Sequence, residues 1–537
     1  MRGTHCNLLY LIVPLLFCGC VDSLFDQYEH RYDEQQSEQT VEEVSTAWKP
    51  VQCTIDEVKF NSYAIKASVN EKILADIAFD VDDTLCAVGI IEHYLLDDRN
   101  LIASWDGVAA KVTVNGIEQW PDSTLNDFSS PVTYRLYASD GQYVEYEFTL
   151  EQGAYTGLPV ASISTNASIS SKEKWVPAVF KVSSQQSEYN DTYIGSSVKL
   201  RGNNSLKYKK KSYTLKLDEK EVVLGMAKHK KWCFVANMPD RTLLRNRVAY
   251  EIGSRLSLSW TPSTRYCELF VNNQYNGLYL IVEQIKVSKN RVNLKKTEGE
   301  ALEDEDPASV GYLFEMDTHQ DQNWFETAVR EIPVNVQYPE DMNDVRLSYV
   351  QNYFKKIEQL LYMKEVPDTA YREFVDLGSY ADYWIAMELT MCAESAIPGS
   401  VWCYKDAGGK LCAGPIWDFD QNTFNGRKEF LLYDYETTDF SERERSLWYS
   451  RMFRDKEFVE VVQSRWLIYR ESLYDILDFI DKQADYIQES ALANLEQWGT
   501  ASSANKDTQL SWEEAVAMLK EKYLARWIMM DNAIMAW

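Results

Sequence analysis

Apolar and polar side chains alternate strictly on both sides of Asp140-Gly141. Val132, Tyr134 and Leu136 interleave with Thr133 and Arg135, and Val144, Tyr146 and Phe148 interleave with Glu145 and Glu147. A period of two puts the apolar set on one face of an extended chain, and Asp-Gly suits a tight turn, so the spacing predicts a hairpin with one wet face. Asn115-Gly116 gives a second turn signal, between Val112-Thr113-Val114 and Ile117-Glu118-Gln119-Trp120. No helical period of convincing length interrupts residues 51–153, which read as an all-β sandwich of about seven strands. Gly153 to Pro159 marks a boundary. Beyond it strand-like and helix-like patterns mix, and the chain as a whole is expected to be α+β.

Ahead of this region, Arg2 and His5 precede an apolar run from Leu8 to Phe17, too short to span a bilayer but suited to an export signal. Cys18-Gly19-Cys20 follows, and the arrangement resembles a bacterial lipoprotein signal with Cys20 as the lipidated residue. That implies a signal peptide over 1–19 and a lipid anchor to the cell envelope, at the outer membrane. Residues 20–50 are polar and acidic and read as a tether. Residues 51–153 resemble the immunoglobulin-like modules that precede larger domains in surface lipoproteins of gut Bacteroides-type bacteria. A spacer is the plain role for such a module, and a loop-based binder the alternative.

Charge narrows the partners. Lys and Arg total 55 against 82 Asp and Glu, a net charge of -27, which repels a phosphate backbone and excludes a general nucleic-acid binder. Outside the leader seven Cys remain, an odd number with no CxxC spacing, and only 5 His occur, so neither a full disulfide framework nor a structural zinc site is expected. Most of these Cys read as small buried hydrophobes. The 16 Trp and 34 Tyr suit either cores or stacking platforms for saccharides or bases.

One segment reverses the charge sign. From Arg201 to Lys231 there are ten Lys or Arg against three acids, Asp218, Glu219 and Glu221. Strand-like Val198 to Arg201 runs into the turn formers Gly202-Asn203-Asn204-Ser205, and Ser212 to Leu217 reads as the next strand. Cations beside a turn rich in backbone N–H groups point to an anionic ligand, with a Lys-protected edge strand as the plainer reading. Asp240 is placed to cap a helix carrying Leu244, Val248, Ile252 and Leu256, and a hairpin from Tyr266 to Val282 delivers Glu283 at its end. Asp376-Leu377 opens a helix stopped near Pro398, and strands around Gly408-Gly409 end in Gly414-Pro415-Ile416-Trp417-Asp418-Phe419-Asp420. If Trp417 to Asp420 is extended, Asp418 and Asp420 share a face, and two such carboxylates repel unless a cation or proton sits between them. Mg²⁺ accepts one or two carboxylates and fills its shell with water and phosphate oxygens. From Phe424 to Trp537 apolar residues recur at helical spacing, and the aromatic and Met stripes there are expected to be core.

RGNNSLKYKKKSYTLKLD from Arg201, KHKKWCFVANMPDRTLLRN from Lys228, ELFVNNQYNGLYLIVEQI from Glu268 and GPIWDFD from Gly414 together resemble the CotH family. The resemblance covers roughly residue 158 to the early 490s, within a domain taken as 158–537. It implies an atypical protein-kinase-like fold of two lobes, the C-terminal one helical, that uses ATP with Mg²⁺, or Mn²⁺, to phosphorylate Ser or Thr of surface proteins. By position, Asp418 would be the metal ligand, with Asp420 beside it. Lys211 is the first choice for the phosphate-contacting lysine, with Lys210 and Lys216 as competitors. Glu283 would hold that lysine by an ion pair, and Arg201 would contact phosphate or act structurally. Where the family carries its catalytic carboxylate in an Asn-x-Asp setting, this chain reads Cys392-Ala393-Glu394. Glu394 would be the base, displaced by about 1.5 Å by its extra methylene. A shift near 1 Å can cost about 10²-fold in transfer, so a catalytically weak or inactive surface assembly or adhesion protein is the alternative. A glycan binder is a third reading.

Overall fold

The computed structural model describes residues 48–81, 85–185, 191–296, 306–392, 399–426, 428, 430, 432, 447–501 and 505–537. Cys20, the leader and the tether lie outside the described residues, except that residues 48–50 of the tether are included, and Glu394 also lies outside them.

Ten strands come first: β1 Lys59–Ile65, β2 Ile77–Phe79, β3 Cys86–Ile91, β4 Asn100–Ile102, β5 Ser104–Val108, β6 Lys111–Val114, β7 Ile117–Glu118, β8 Leu125–Asp127, β9 Val132–Tyr137 and β10 Tyr143–Gln152. They form the sheets β2-β1-β5 and β3-β10-β9-β6-β7 and the pair β4-β8. The hairpin expected at Asp140-Gly141 is β9–β10, with Tyr134 opposite Tyr146 and Val132 opposite Phe148. Its apolar face is the buried one, and the Phe148 ring stacks on Tyr63 at 3.5 Å. Asn115 and Gly116 both adopt positive φ, as a two-residue hairpin turn requires. The strand number exceeds the expected seven because pieces as short as Ile117–Glu118 carry no readable period.

The next seven strands are β11 Val160–Thr165, β12 Val176–Ser183, β13 Asp191–Arg201, β14 Ser212–Val223, β15 Met226–Val235, β16 Thr264–Val271 and β17 Gln274–Glu283. They close into a barrel in the order β11-β12-β13-β14-β15-β17-β16. Closure comes from the parallel pair β11 and β16, with Val160 opposite Glu268. Alternate residues fill the interior, among them Phe180, Leu215, Trp232, Phe234 and Ile281. Helix α1, Arg245–Arg255, buries Val248, Ala249 and Ile252 in a core that also takes Val235, Leu280 and Val282 from the barrel's outer face. It starts later than the expected cap, with Leu244 in the N-cap position. Asp240 still serves it from a distance, accepting the Arg245 N–H at 2.8 Å. The core of the first ten strands runs on into the barrel through Val160 and Phe270, and the His93 ring stacks on Tyr275 at 4.2 Å.

A second sheet, β19-β20-β18-β21-β22, is built from β18 Tyr312–Met316, β19 Trp324–Glu326, β20 Pro333–Tyr338, β21 Val401–Lys405 and β22 Leu411–Ala413. Around it pack α2 Asp344–Tyr362, α3 Leu377–Thr390, α4 Tyr449–Met452, α5 Lys456–Tyr474, α6 Ile476–Trp498 and α7 Trp512–Ala536. Asp376 caps α3 as expected, accepting from the Ser379 N–H at 2.7 Å. The helix stops at Met391, whose φ of 51° is left-handed, before the expected Pro398. One core joins α1 to α7 and the second sheet, with Trp384, Trp448 and Trp466 among its largest members, so the aromatic stripes are packing. The chain is α+β. Among the described residues no helix is long and apolar enough to cross a membrane. Of the seven described Cys five are buried, as expected of most of them, while Cys412 is half-buried and Cys86 is exposed on the edge strand β3.

Candidate functional site

A cleft of about 1060 Å³ opens between the barrel and the second sheet. Its barrel side is cationic, with Lys172, Arg201 and Lys286 and the turn Gly202-Asn203-Asn204-Ser205. Gly202 sits at φ 97°, and a Cβ there would meet the Ser205 hydroxyl at 1.8 Å, so only glycine allows this turn. The far side is anionic, with Glu315, Asp317, Asp321, Asp418 and Asp420.

Arg201 ends β13, and its guanidinium lies over the Trp417 ring at 5.5 Å. Trp417 in turn packs at 6.1 Å from Tyr250 of α1. The Trp417-to-Asp420 segment is not a strand, contrary to the expectation that placed both carboxylates by a period of two. Asp418 has φ 66°, a left-handed conformation that Asp tolerates better than most residues. Backbone anchors replace sheet pairing here. The Phe419 N–H donates to Asn246 Oδ1 at 2.8 Å, and Asn505 Nδ2 donates to the Asp420 carbonyl at 2.8 Å. The two carboxylates reach the same cleft by this irregular route, and Asp418 is exposed to it.

The lysines and Glu283 depart from expectation. Lys211 turns away from the cleft and donates to the Leu206 carbonyl at 2.6 Å. Lys210 is buried and does not line the cleft, donating to Asn494 Oδ1 of α6 at 2.8 Å and to the Ala236 carbonyl at 3.2 Å; burial pushes its amine down to about 7. Both precede β14, which begins at Ser212, so a strand period does not govern where they point. Lys216 lies on β14 beyond the cleft rim, 5.8 Å from the Trp175 ring. Glu283 holds no lysine. It pairs with Arg291 at 2.7 Å and accepts from the Ser263 N–H at 3.0 Å. Of the nominated site residues that are described, Arg201, Asp418 and Asp420 converge in the cleft, while Lys211, Lys216 and Glu283 do not.

Sequence reasoning missed Lys172, Lys286, Glu315, Asp317 and Asp321. Glu315 and Asp317 carried a legible signal, because they alternate at the end of a strand that also sends Leu313 to the cleft. Asp317 accepts from the Ser400 N–H at 2.9 Å and the His319 N–H at 2.7 Å. Gln337 Nε2 donates to Glu315 at 3.0 Å and to Asp321 at 2.6 Å.

Burial, then Asp317, Asp321 and Asp418, push the Glu315 carboxyl up to about 8. The folded chain therefore holds this proton more tightly than the unfolded one. Stability from that source is full below the unfolded value of 4.5 and is lost as pH rises toward 8. Glu315→Gln keeps the acceptor for Gln337 and cannot ionise. It is expected to match wild type near pH ~4 and to be more stable by about 2 kcal/mol near pH ~8. Melting temperatures of both proteins against pH check this, and parallel curves would refute it. Asp418 is raised too, first by its crowded surroundings and further by Asp317, with Arg201 opposing.

Crowded carboxylates facing cations across one cleft are a donor set for a divalent cation carrying a polyphosphate. Among the described residues no three His, Cys, Asp or Glu side chains group closely enough to hold a metal alone. A shared Mg²⁺ does not need three, since phosphate and water supply the remaining oxygens. ATP with Mg²⁺ thus fits the residues present.

The family model described as CotH kinase protein matches residues 198–528, from within β13 to within α7. The matched span starts and ends later than the 158-to-490s stretch marked by the motifs. No curated protein matches the chain.

Proposed function

The chain belongs to the CotH kinase protein family, and from that premise we propose that it transfers the γ-phosphoryl group of ATP to Ser or Thr of surface proteins, with Mg²⁺ or Mn²⁺. The observation that carries this reading is the meeting of Arg201 with Asp418 and Asp420 in one cleft, from segments more than two hundred residues apart. Arg201, Lys172 and Lys286 would bind the phosphates, and the Gly202-to-Ser205 turn would add backbone donors. Asp418, with Asp420, would hold the metal, which neutralises phosphate charge when bound. Glu394 would accept the acceptor hydroxyl proton. Gly399 and Ser400, further along the chain, line the cleft.

In this reading the barrel and the region around the second sheet act as the two lobes of an atypical kinase, and the first ten strands as an immunoglobulin-like spacer. A lipid on Cys20 would hold the whole at the outer membrane, as in the Bacteroides-type surface lipoproteins whose immunoglobulin-like modules residues 51–153 resemble. A second reading, a surface assembly or adhesion module that binds nucleotide without transfer, is favoured by the absence of Lys210, Lys211 and Lys216 from the cleft. Titration calorimetry of the soluble chain with ATP and Mg²⁺ tests the proposal. Saturable binding is expected, weakened about 10–100-fold by Arg201→Ala, which removes a charge-assisted phosphate contact. Absence of binding in wild type would sink both readings.

A further inference from the structure

Arg201 is the first rung of a cationic ladder that leaves the cleft. Strand register fixes its geometry. Arg201 stands opposite Ser212, Lys199 opposite Thr214, and Lys216 opposite Lys231, all on the outer face of the barrel. Each rung along the strands is two residues, about 6.6 Å, so the cations step outward over roughly 13 Å. Trp175, just before β12, lies beside them, with the Lys199 ammonium 5.0 Å and the Lys216 ammonium 5.8 Å from its ring.

These lysines lack the partners their neighbours have. Lys228 and Lys230 of the same barrel pair with Glu221 at 3.6 Å and Glu219 at 4.0 Å. Among the described residues no carboxylate lies at ion-pair distance from Lys199, Lys216 or Lys231. Their own repulsion shows in their titration: Lys231 is lowered by partial burial and then by Lys286 and Lys216, with Lys199 adding to it and Glu340 opposing. Lys199 is lowered by burial, with Lys286 and Lys172 adding to it and Glu173 opposing. Three half-buried cations stand together with, among the described residues, no carboxylate at ion-pair distance, on a molecule whose net charge is -27. An acidic partner is repelled by the rest of this surface and attracted here, at the mouth of the cleft.

We infer that the face formed by Trp175, Lys199, Lys216 and Lys231 docks an acidic segment of the partner protein, so that the Ser or Thr presented to the cleft lies next to carboxylate-rich sequence. The inference rests on the kinase reading for the role of the cleft, while the docking itself is measurable without it. A fluorescein-labelled peptide of alternating Ser and Glu is titrated with the full chain, its Asp418→Ala variant, and a variant carrying Lys199→Glu, Lys216→Glu and Lys231→Glu. Expected are binding by wild type and Asp418→Ala, at least about tenfold weaker binding by the triple variant, and unchanged ATP binding by the triple variant. Wild-type binding must also weaken as salt rises, a measurement independent of any variant.

Equal affinity of the triple variant, indifference to salt, or tighter binding of an oligothymidylate or of phosphatidylglycerol vesicles than of the peptide would overturn the inference. ATP binding without peptide binding removes the docking face and leaves the kinase reading standing. Peptide binding without ATP binding does the reverse.

Discussion

Asp418→Asn is expected to lower Mg²⁺-dependent phosphoryl transfer by about 10³-fold while raising the melting temperature slightly. Catalysis of this kind is mostly charge stabilisation and positioning, so loss of a carboxylate that feels both Arg201 and Asp317 removes much of it. Stability moves the other way because the surroundings of Asp418 favour its protonated form, through crowding and Asp317. Asparagine keeps the shape and tolerates the left-handed backbone at φ 66°. Labelled-phosphate transfer and a thermal melt on the same preparation check both halves. Activity retained, or lost together with the fold, would remove Asp418 from the role given to it here.

Arg245→Met is expected to cost about 3–5 kcal/mol of stability, read from urea unfolding. The guanidinium is fully buried between Asp240, with which it makes a short ion pair, and Asp507 at 2.8 Å. Methionine fills similar volume but leaves two buried carboxylates facing each other, and burial with Asp240 nearby already pushes Asp507 up. Adding Asp240→Asn and Asp507→Asn should recover part of the loss, since the penalty lies in uncompensated charge. An effect below about 1 kcal/mol would show that water or protonation relieves the pair. The damage reaches the cleft, because Asn505, two residues before Asp507, holds the Asp420 carbonyl and accepts from the Thr423 N–H at 3.2 Å.

Local chemistry was readable and distant pairing was not. The β9–β10 hairpin, the Asn115-Gly116 turn and the Asp376 cap each depend on residues within a few positions, and each stands where the sequence places it. Barrel closure depends on Val160 meeting Glu268, which no period encodes. The same division runs through the cleft. Asp418 and Asp420 are together, yet by a left-handed turn held by Asn246 and Asn505 from distant segments, not by extension. The family resemblance makes Lys211 the first choice by position, but the strand starts one residue later and the side chain folds back on Leu206. Glu283 found Arg291, a partner eight residues on across a loop, where burial beside Trp232 rewards a guanidinium over a distant ammonium.

The parallel seam between β11 and β16 has a consequence in time. When β11 leaves the machinery that makes or threads the chain, about a hundred residues must follow before its second neighbour exists, and closing a loop of that length costs about 4 kcal/mol of chain entropy. Through that interval β11 keeps one edge unpaired, the hazard of any growing sheet. The cationic wall belongs to this barrel and the acidic wall to segments made later still, so the cleft is complete only when both are in place. The site comes into being late, and its presence in a molecule certifies that the seam has closed.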